Sequence, residues 1–136
     1  MSVGTMIHSR IAHYRCVDFL GAGGMGEVYR AVDTRSGRVV ALKILTSARD
    51  SSFIARFRNE ARIHSTLRHP GIAMMYEFLE LPGLQPCIAM EYVDGETLET
   101  RIRRRGAPQF ETAVGYATSL VDAVRTGLAG EPPARR

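Results

Sequence analysis

The sequence predicts an α+β fold, in which a five-stranded antiparallel sheet packs against one helix and is followed by a linker and two more helices. Two observations support this fold class. Short segments rich in β-branched and aromatic residues are separated by turn residues, both before residue 46 and after residue 71. Between these two groups the apolar spacing changes from two residues to three or four, which is typical of a helix lying on a sheet.

The predicted strands follow from alternating or continuous apolar runs. The first strand leads into a glycine-rich loop, and the second and third are joined by the short turn "TRSG" as an antiparallel hairpin. In the third strand, "RVVALKIL", both faces carry apolar side chains, so we expect it to be buried on both sides. The predicted strands cover residues 14–20, 27–33, 38–45, 72–81 and 87–93.

The helices are predicted from residues that recur at spacings of three and four. The first begins at residue 50 and ends at "RHPG", and a very basic helix covers residues 97–105. The last covers residues 111–128, and we expect its apolar stripe to be exposed and to need a protein partner or self-association. The stripe of the first helix is Phe53, Phe57, Glu60, His64 and Leu67, and that of the last is Ala113, Ala117, Leu120, Val124 and Leu128.

The composition is that of one globular unit. Hydrophobic residues make up 45% of the 136 residues and charged residues 24%. No apolar stretch approaches the roughly 20 residues needed to cross a bilayer, and the start lacks the apolar segment of a secretion signal, so we expect a cytoplasmic protein without a membrane partner. Cys16 and Cys87 lie in apolar segments and form no C-x-x-C pair. We expect buried free thiols rather than a disulfide or a metal site.

Glycines at positions 21, 23, 24 and 26 form a G-x-G-x-x-G pattern directly after the first strand. Glycine allows backbone N–H groups to approach an anion, because no Cβ is in the way. Dinucleotide-binding units share this pattern but open a helix with it, whereas the residues after Gly26 alternate as a strand does. The triphosphatase loop G-x-x-x-x-G-K does not match, because Glu27 follows Gly26. A flexible hairpin connection without a ligand stays open as an alternative.

Lys43 is the only lysine in the chain, and all other residues of the 18 Lys and Arg are arginines. Its ammonium group is a compact charge on a long stem and can reach a phosphate oxygen in a narrow site. On a strand buried on both faces, this charge needs a partner. Glu60 is the candidate because it lies on the apolar stripe of the first helix. The alternative stripe of Ile54, Phe57 and Ala61 would instead turn Glu60 outward to solvent.

Five segments occur in an unbroken order, namely "GAGGMGEVYRA", "VVALKIL", the helix with Glu60, "LRHPGI" and "CIAMEYVDGETL". Together they resemble the amino-terminal lobe of a eukaryotic-type serine/threonine protein kinase, most closely the bacterial members. The resemblance runs from about residue 14 to 98, and more weakly to about residue 125. It implies an amino-terminal extension in 1–13, a kinase amino-terminal lobe in 14–93, an incomplete start of the carboxy-terminal lobe in 94–128 and a tail in 129–136.

The resemblance implies an ATP site with a phosphate part and an adenine part. Lys43 is implied to bind the α- and β-phosphates while Glu60 holds it, and these two are the catalytic candidates. Gly21, Gly23 and Gly26 are implied to cover the phosphates. For the adenine, the resemblance implies apolar walls at Leu20, Val28 and Ala41, a gatekeeper at Met90 and backbone hydrogen bonds from Glu91 and Val93.

The family transfers the ATP γ-phosphoryl group to Ser or Thr hydroxyls with the help of H-R-D-x-x-x-x-N and D-F-G motifs, which supply the catalytic aspartate and the magnesium ligands. Neither motif occurs in these 136 residues, and Asp122 lies inside the last predicted helix. We therefore expect ATP or ADP as ligand and no transfer by this chain alone. The family uses Mg²⁺, but we expect no protein-held metal here.

Three interpretations follow from this incomplete match. The chain is a truncated kinase-like domain, which the Pro- and Arg-rich end favours, or a non-catalytic half-kinase that binds a nucleotide or a partner. The third is an unrelated protein, either a dinucleotide-binding domain or a nucleic-acid binder. Nucleic acid is not the expected partner, because the basic cluster lacks interleaved aromatic residues and is more typical of a solvated helix face. This cluster is Arg101, Arg103, Arg104 and Arg105.

Overall fold

The computed structural model describes residues 4–23, 26–46 and 51–129. Within these ranges the chain forms strands and helices in the predicted order, preceded by one additional strand. Residues 1–3 of the predicted amino-terminal extension, residue 50 of the first predicted helix and the predicted tail from residue 130 onward lie outside the described residues. The elements are β1 (Arg10–Ile11), β2 (Tyr14–Ala22), β3 (Gly26–Asp33), β4 (Val39–Leu45), α1 (Ser51–His64), β5 (Met75–Leu79), β6 (Cys87–Glu91), α2 (Leu98–Arg105) and α3 (Phe110–Ala129).

The described strands form one antiparallel sheet in the order β1-β2-β3-β4-β6-β5. The predicted count of five strands is therefore wrong by one, and the additional strand is β1. It pairs with β2 through Arg10 opposite Arg15 and Ile11 opposite Tyr14. Ala12 turns the chain sharply with a φ of 52°, and the buried side chain of Ile11 anchors the strand. Two residues are too few to show a strand period in a sequence.

Several element ends differ from the prediction. Strands β5 and β6 end at Leu79 and Glu91 rather than at residues 81 and 93, and two further differences have local reasons. Helix α1 ends at His64, so Leu67 is not part of its stripe. The hydroxyls of Ser65 and Thr66 donate to the carbonyl oxygens of Arg62 and Ile63, which competes with continued helix. Strand β5 begins only at Met75 because the preceding residues turn, with the Ile72 N–H donating to the His69 carbonyl at 3.0 Å.

The sheet buries apolar side chains on both faces, as predicted for β4. On one face, Leu45 of β4 and Ile88 of β6 pack with Phe57 and Ala61 of α1, and we call this group the inner cluster. On the other face lies a larger outer cluster, which also contains both cysteines. The outer cluster consists of Ile11, Tyr14, Cys16, Tyr29, Ala31, Val40, Leu42, Ile44, Cys87 and Ala89, with Met6, Phe19, Tyr76 and Leu79 packed against it.

Both cysteines are free and fully buried, which confirms the prediction from the sequence. Burial raises the pKa of the Cys87 thiol to about 12, and it also raises the pKa of Cys16. A thiol with a raised pKa stays protonated near neutral pH and is a poor nucleophile. Both residues therefore serve as small apolar side chains of the outer cluster.

Helices α2 and α3 follow the sheet and present apolar side chains to solvent. Thr97 caps α2 by accepting the Thr100 N–H at 3.1 Å, and Gly106, with a φ of 77°, ends it. The exposed stripe predicted for α3 is confirmed for the larger side chains that the structure describes, whereas the side chain of Leu128 lies outside that part. None of the described helices has both the length and the apolar character that crossing a bilayer requires.

Candidate functional site

The structure brings Lys43 and Glu60 together between β4 and α1. The Nζ of Lys43 donates to Oε1 of Glu60 at 2.6 Å, which confirms the predicted pair. Their side chains are 23% and 40% exposed, and such partly solvated pairs contribute only about 0–1 kcal/mol to stability. The pair therefore positions the ammonium group more than it stabilises the fold. An ammonium group has three N–H donors, and this bond uses one of them.

Helix α1 packs on the sheet through Ile54, Phe57 and Ala61, which form the alternative stripe described in the sequence. Phe57 and Ala61 are buried, and Ile54 packs against the inner cluster. Glu60 lies at the edge of this buried face, because it follows Phe57 by three residues, which is close to one helical turn. This stripe was expected to turn Glu60 outward to solvent. That expectation is wrong, since the Glu60 carboxylate reaches Lys43 from the edge of the face.

Two neighbours of the pair were not assigned to the site from the sequence. The Nζ of Lys43 lies 5.9 Å from the centroid of the Phe57 ring, near the outer limit for a cation–π contact. The Nε2 of His64 donates to the Ala73 carbonyl oxygen at 2.6 Å, which ties the end of α1 to the segment before β5. Phe57 and His64 lie three residues before and four after Glu60, and this spacing on a helix is the signal that could have indicated both.

The glycines of the loop have different surroundings. A Cβ added to Gly26 would lie 1.9 Å from the Ile44 carbonyl oxygen, so the close approach of β3 to β4 requires glycine there. Cβ atoms added to Gly21 or Gly23 would meet nothing within 4 Å, so packing does not require glycine at either position. Gly26 begins a strand rather than a helix, and the dinucleotide-binding alternative is therefore wrong. Gly24 lies outside the described residues.

An apolar wall extends from Lys43 along the same face of the sheet. Directly opposed residues in antiparallel strands share a face. Val28 and Ile88 lie opposite Lys43 from the two neighbouring strands, and Met90 lies opposite Ala41. Ala41 is buried, whereas Val28 and Met90 are half-buried. Ile88 was not predicted as a site residue, and its register opposite Lys43 becomes apparent only once the strands are paired.

The remaining predicted site residues lie at the solvent-exposed edge of this wall. The side chain of Leu20 is 45% exposed and that of Val93 is 66% exposed. Glu91 is half-buried, and its N–H donates to the Met74 carbonyl oxygen at 2.7 Å. The N–H of Glu91 is therefore already engaged and is not free to donate to a ligand.

The other charged candidates lie on α2 and α3. Arg103 and Arg104 bind Glu99 and Glu96 at 2.6 and 2.7 Å on the solvated side of α2. Asp122 of α3 accepts a hydrogen bond from His69 Nε2 at 2.7 Å. Within the described ranges, no three His, Cys, Asp or Glu side chains come together in the way metal ligands do. The chemically distinctive feature is thus one held ammonium group at the end of an apolar wall, next to a glycine-rich loop.

Comparison with known proteins assigns this arrangement to a family. The protein kinase domain model matches residues 14–126. A probable serine/threonine-protein kinase of Streptomyces coelicolor, SCO3848, is 42% identical over 125 residues, which cover 85% of this chain and 18% of that protein. PknB of Mycobacterium leprae is 46% identical over 116 residues, covering 82% of this chain and 19% of the relative. PknA of Mycobacterium tuberculosis is 42% identical over 110 residues, which cover 76% of this chain and 25% of that protein.

The chain therefore belongs to the protein kinase family, and the three relatives named above are bacterial proteins described as serine/threonine kinases. A solved structure described as "PpkA-294 apo form" has the same fold over 76% of this chain and 44% of its own, with a TM-score of 0.65 and 24% identity. The six-stranded sheet with α1 corresponds to a kinase amino-terminal lobe, and α2 and α3 to the start of the carboxy-terminal lobe. The chain spans only 18–25% of the length of these curated relatives.

Proposed function

We propose that this chain binds ATP or ADP on the inner face of its sheet, with Lys43 at the phosphates and the apolar wall against the adenine. The observation that carries the proposal is the 2.6 Å bond by which Glu60 holds the only lysine of the chain. A fixed cation at the end of an apolar wall is complementary to a molecule with an aromatic ring and an anionic chain. The residues present fit this ligand class.

The phosphate part of the proposed site consists of Lys43 and the glycine-rich loop. Glu60 leaves donors on the Lys43 ammonium group for the α- and β-phosphate oxygens. Gly21 and Gly23 supply space, since neither is required by packing. The N–H of Gly23 already donates to the Gly26 carbonyl at 2.9 Å, so Gly23 acts by shaping the loop rather than by binding phosphate itself.

The adenine part of the proposed site consists of Val28, Ala41 and Met90 on the sheet, with Leu20 as the outer wall. The Glu91 carbonyl oxygen and the backbone of Val93 are proposed to hydrogen-bond the edge of the base. Leu20 and Val93 are exposed apolar side chains, and contact with a planar base would remove part of this surface from water. This arrangement provides apolar contact on the faces of the ring and polar contact at its edge.

Phosphoryl transfer needs more than this site offers. Mg²⁺ takes carboxylate oxygens and water as ligands, whereas the carboxylate beside Lys43 is Glu60, which already binds the ammonium group. The residues of the site therefore do not fit a protein-held magnesium ion. We propose nucleotide binding without transfer for these 136 residues. Transfer of the γ-phosphoryl group to Ser or Thr is proposed only for a longer chain that carries the H-R-D and D-F-G motifs.

A calorimetric titration with ATP tests the proposal. The loss of a hydrogen bond to a charged group costs about 1.5–3 kcal/mol, so Lys43→Ala should weaken ATP binding about tenfold to 150-fold. Arg105→Ala is the matched control, because it removes the same charge from the exposed end of α2 and should leave the affinity unchanged. Absence of binding heat in the unmodified chain would contradict the proposal, and so would equal affinities of all three proteins.

We also propose that the chain self-associates through α3. Val114, Leu120, Val121 and Val124 are each at least 47% exposed, although all four are apolar. A second copy presents the same apolar face, so a symmetric pair of α3 helices would cover both faces at once. This surface is the specific observation in favour of a protein partner.

A further inference from the structure

Glu27 is buried directly behind the glycine-rich loop, on the face of the sheet opposite to Lys43. It is 7% exposed and is the only charged residue that is buried in the described part of the chain. Side chains alternate along β3, so Glu27 points toward the outer cluster while its neighbour Val28 lies on the inner face. A carboxylate in such a position needs a hydrogen-bond partner.

Tyr29 is this partner. Its hydroxyl donates to Oε2 of Glu27 at 2.5 Å and accepts the Met6 N–H at 3.2 Å. The ring of Tyr29 is fully buried and meets the Phe19 ring edge to face, with 5.6 Å between the centroids. Burial and the bond to Glu27 raise the pKa of Tyr29, so the hydroxyl remains a donor.

The amino-terminal segment, residues 4–9, covers this pair from the outside. It is bound to β2, because the His8 N–H donates to the Cys16 carbonyl and the Cys16 N–H donates to the Ser9 carbonyl, both at 2.9 Å. The side chain of Met6 packs against the outer cluster. Gly4 lies over the Phe19 ring, where an added Cβ would be 3.6 Å from the nearest ring atom. The segment is thus connected to the start of β3 through Tyr29.

We infer that Glu27 and Tyr29 are positioning residues for the nucleotide site, and that the amino-terminal segment sets the position of the glycine-rich loop through them. The inference rests on the proposed ATP binding. Gly26 is held against Ile44 of β4, and the next residue, Glu27, is held by Tyr29 from the opposite face. If Glu27 loses its partner, the carboxylate moves toward water and displaces Val28, the next residue of the strand, and with it the adjoining loop.

Hydrogen exchange of the full chain without nucleotide tests the connection. In Tyr29→Phe, the amides of Met6 and of the described loop residues Gly23, Gly26, Glu27 and Val28 should exchange faster than in the unmodified protein. The double variant Glu27→Met, Tyr29→Phe replaces the unpaired carboxylate by an apolar side chain of similar length, and slow exchange should return in the loop. Tyr76→Phe is the control, because it removes a hydroxyl beside the same outer cluster from β5 and should leave the loop unchanged.

Unchanged exchange in the loop of Tyr29→Phe would overturn the inference, and so would a change confined to Met6. A double variant as fast as the single one would overturn it as well. Should Tyr29→Phe fail to fold, the double variant decides the question. A double variant that folds and has slow loop exchange shows that the unpaired carboxylate is responsible and supports the inference, whereas a double variant that also fails to fold contradicts it.

ATP calorimetry on the same variants separates this inference from the proposed function. We expect Tyr29→Phe to weaken ATP binding about threefold to tenfold, and the double variant and Tyr76→Phe to bind as the unmodified chain does. If the unmodified chain binds no ATP, the proposed function fails, whereas the exchange data still decide whether the segment positions the loop. If Tyr29→Phe binds ATP with unchanged affinity while its loop exchanges faster, the positioning role in nucleotide binding is wrong.

Discussion

At the scale of single residues, the glycine pattern combines two physical requirements, close packing of strands and space for the proposed ligand. The pattern consists of Gly21, Gly23 and Gly26. Gly26 is needed by the fold, because the Ile44 carbonyl oxygen occupies the place of a side chain. Gly21 and Gly23 face open space, and packing does not require glycine there. The proposed nucleotide accounts for glycine at these two positions. The pattern of three glycines is therefore partly structural and partly a proposed property of the binding site.

Alanine substitutions should separate these requirements. Gly26→Ala forces β3 away from β4 and should lower the free energy of unfolding by about 1–3 kcal/mol or more. Gly21→Ala and Gly23→Ala are the matched controls, and each should change it by no more than about 0.5 kcal/mol while weakening ATP binding. Denaturant unfolding and ATP titration of the three variants measure both effects. Equal destabilisation by all three substitutions would contradict the assignment.

At the scale of elements, packing rather than charge determines where α1 lies. Phe57 and Ala61 are buried against the sheet, and burying an aromatic side chain contributes about 1.5–3 kcal/mol. The Lys43–Glu60 pair and the exposed Arg58–Glu80 pair are partly or largely solvated and contribute less. The Lys43–Glu60 bond is therefore a consequence of the position of α1. Displacement of α1 from the sheet would release Lys43 and alter the site.

Strand β4 links the two faces of the molecule. Its Lys43 belongs to the proposed nucleotide site, while Val40, Leu42 and Ile44 belong to the outer cluster. The neighbouring β3 has the same character, with Val28 on one face and Tyr29 on the other. For this reason a change in the outer cluster can reach the site without any contact to the ligand.

At the scale of the whole molecule, α3 is attached to the sheet domain by a small contact. His69 accepts the Gly71 N–H at Nδ1 and donates from Nε2 to Asp122, at 2.8 and 2.7 Å. Ala123 is buried at this contact. A Cβ added to Gly71 would lie 3.2 Å from the Cβ of Ala123. Most of the apolar side chains of α3 lie outside this contact and remain exposed, which is unusual for a protein that acts alone.

Self-association through α3 predicts a concentration-dependent sedimentation coefficient. Leu120→Glu introduces a charge at a position that is 64% exposed in the single chain, so it should leave the fold unchanged and shift the protein to monomer. Thr112→Glu adds the same charge to an exposed polar position of α3 and should not shift it. A monomeric unmodified chain at all concentrations would contradict self-association, and equal effects of both variants would show that charge alone is responsible.

Much of the fold could be predicted from the sequence because its elements have strong local signals. The apolar run of β4, the turn "TRSG" and the spacing of Phe57 and Ala61 each specify an element without reference to distant residues. Strand β1 could not be predicted in this way, since two residues show no period. Its formation depends on pairing with β2 and on burial of Ile11.

The candidate site was predictable where chemistry requires a partner. A lone lysine on a doubly buried strand demands a carboxylate, and Glu60 was available at the right helix position. The role of Tyr29 and the amino-terminal segment could not be predicted, because the bond from Met6 to Tyr29 joins residues 23 positions apart. Such contacts are specified by the packing of the whole outer cluster rather than by a local pattern.

The central claim is that ATP binds on the inner face of the sheet, beside Lys43. The most direct test is a map of amide chemical shifts of the isotopically labelled chain during an ATP titration. We predict saturable shifts at Gly21, Val28, Lys43, Glu91 and Val93, and saturation in Lys43→Ala only at an ATP concentration about tenfold to 150-fold higher. Shifts confined to α2 and α3, or saturation of Lys43→Ala at the same ATP concentration as the unmodified chain, would contradict the claim.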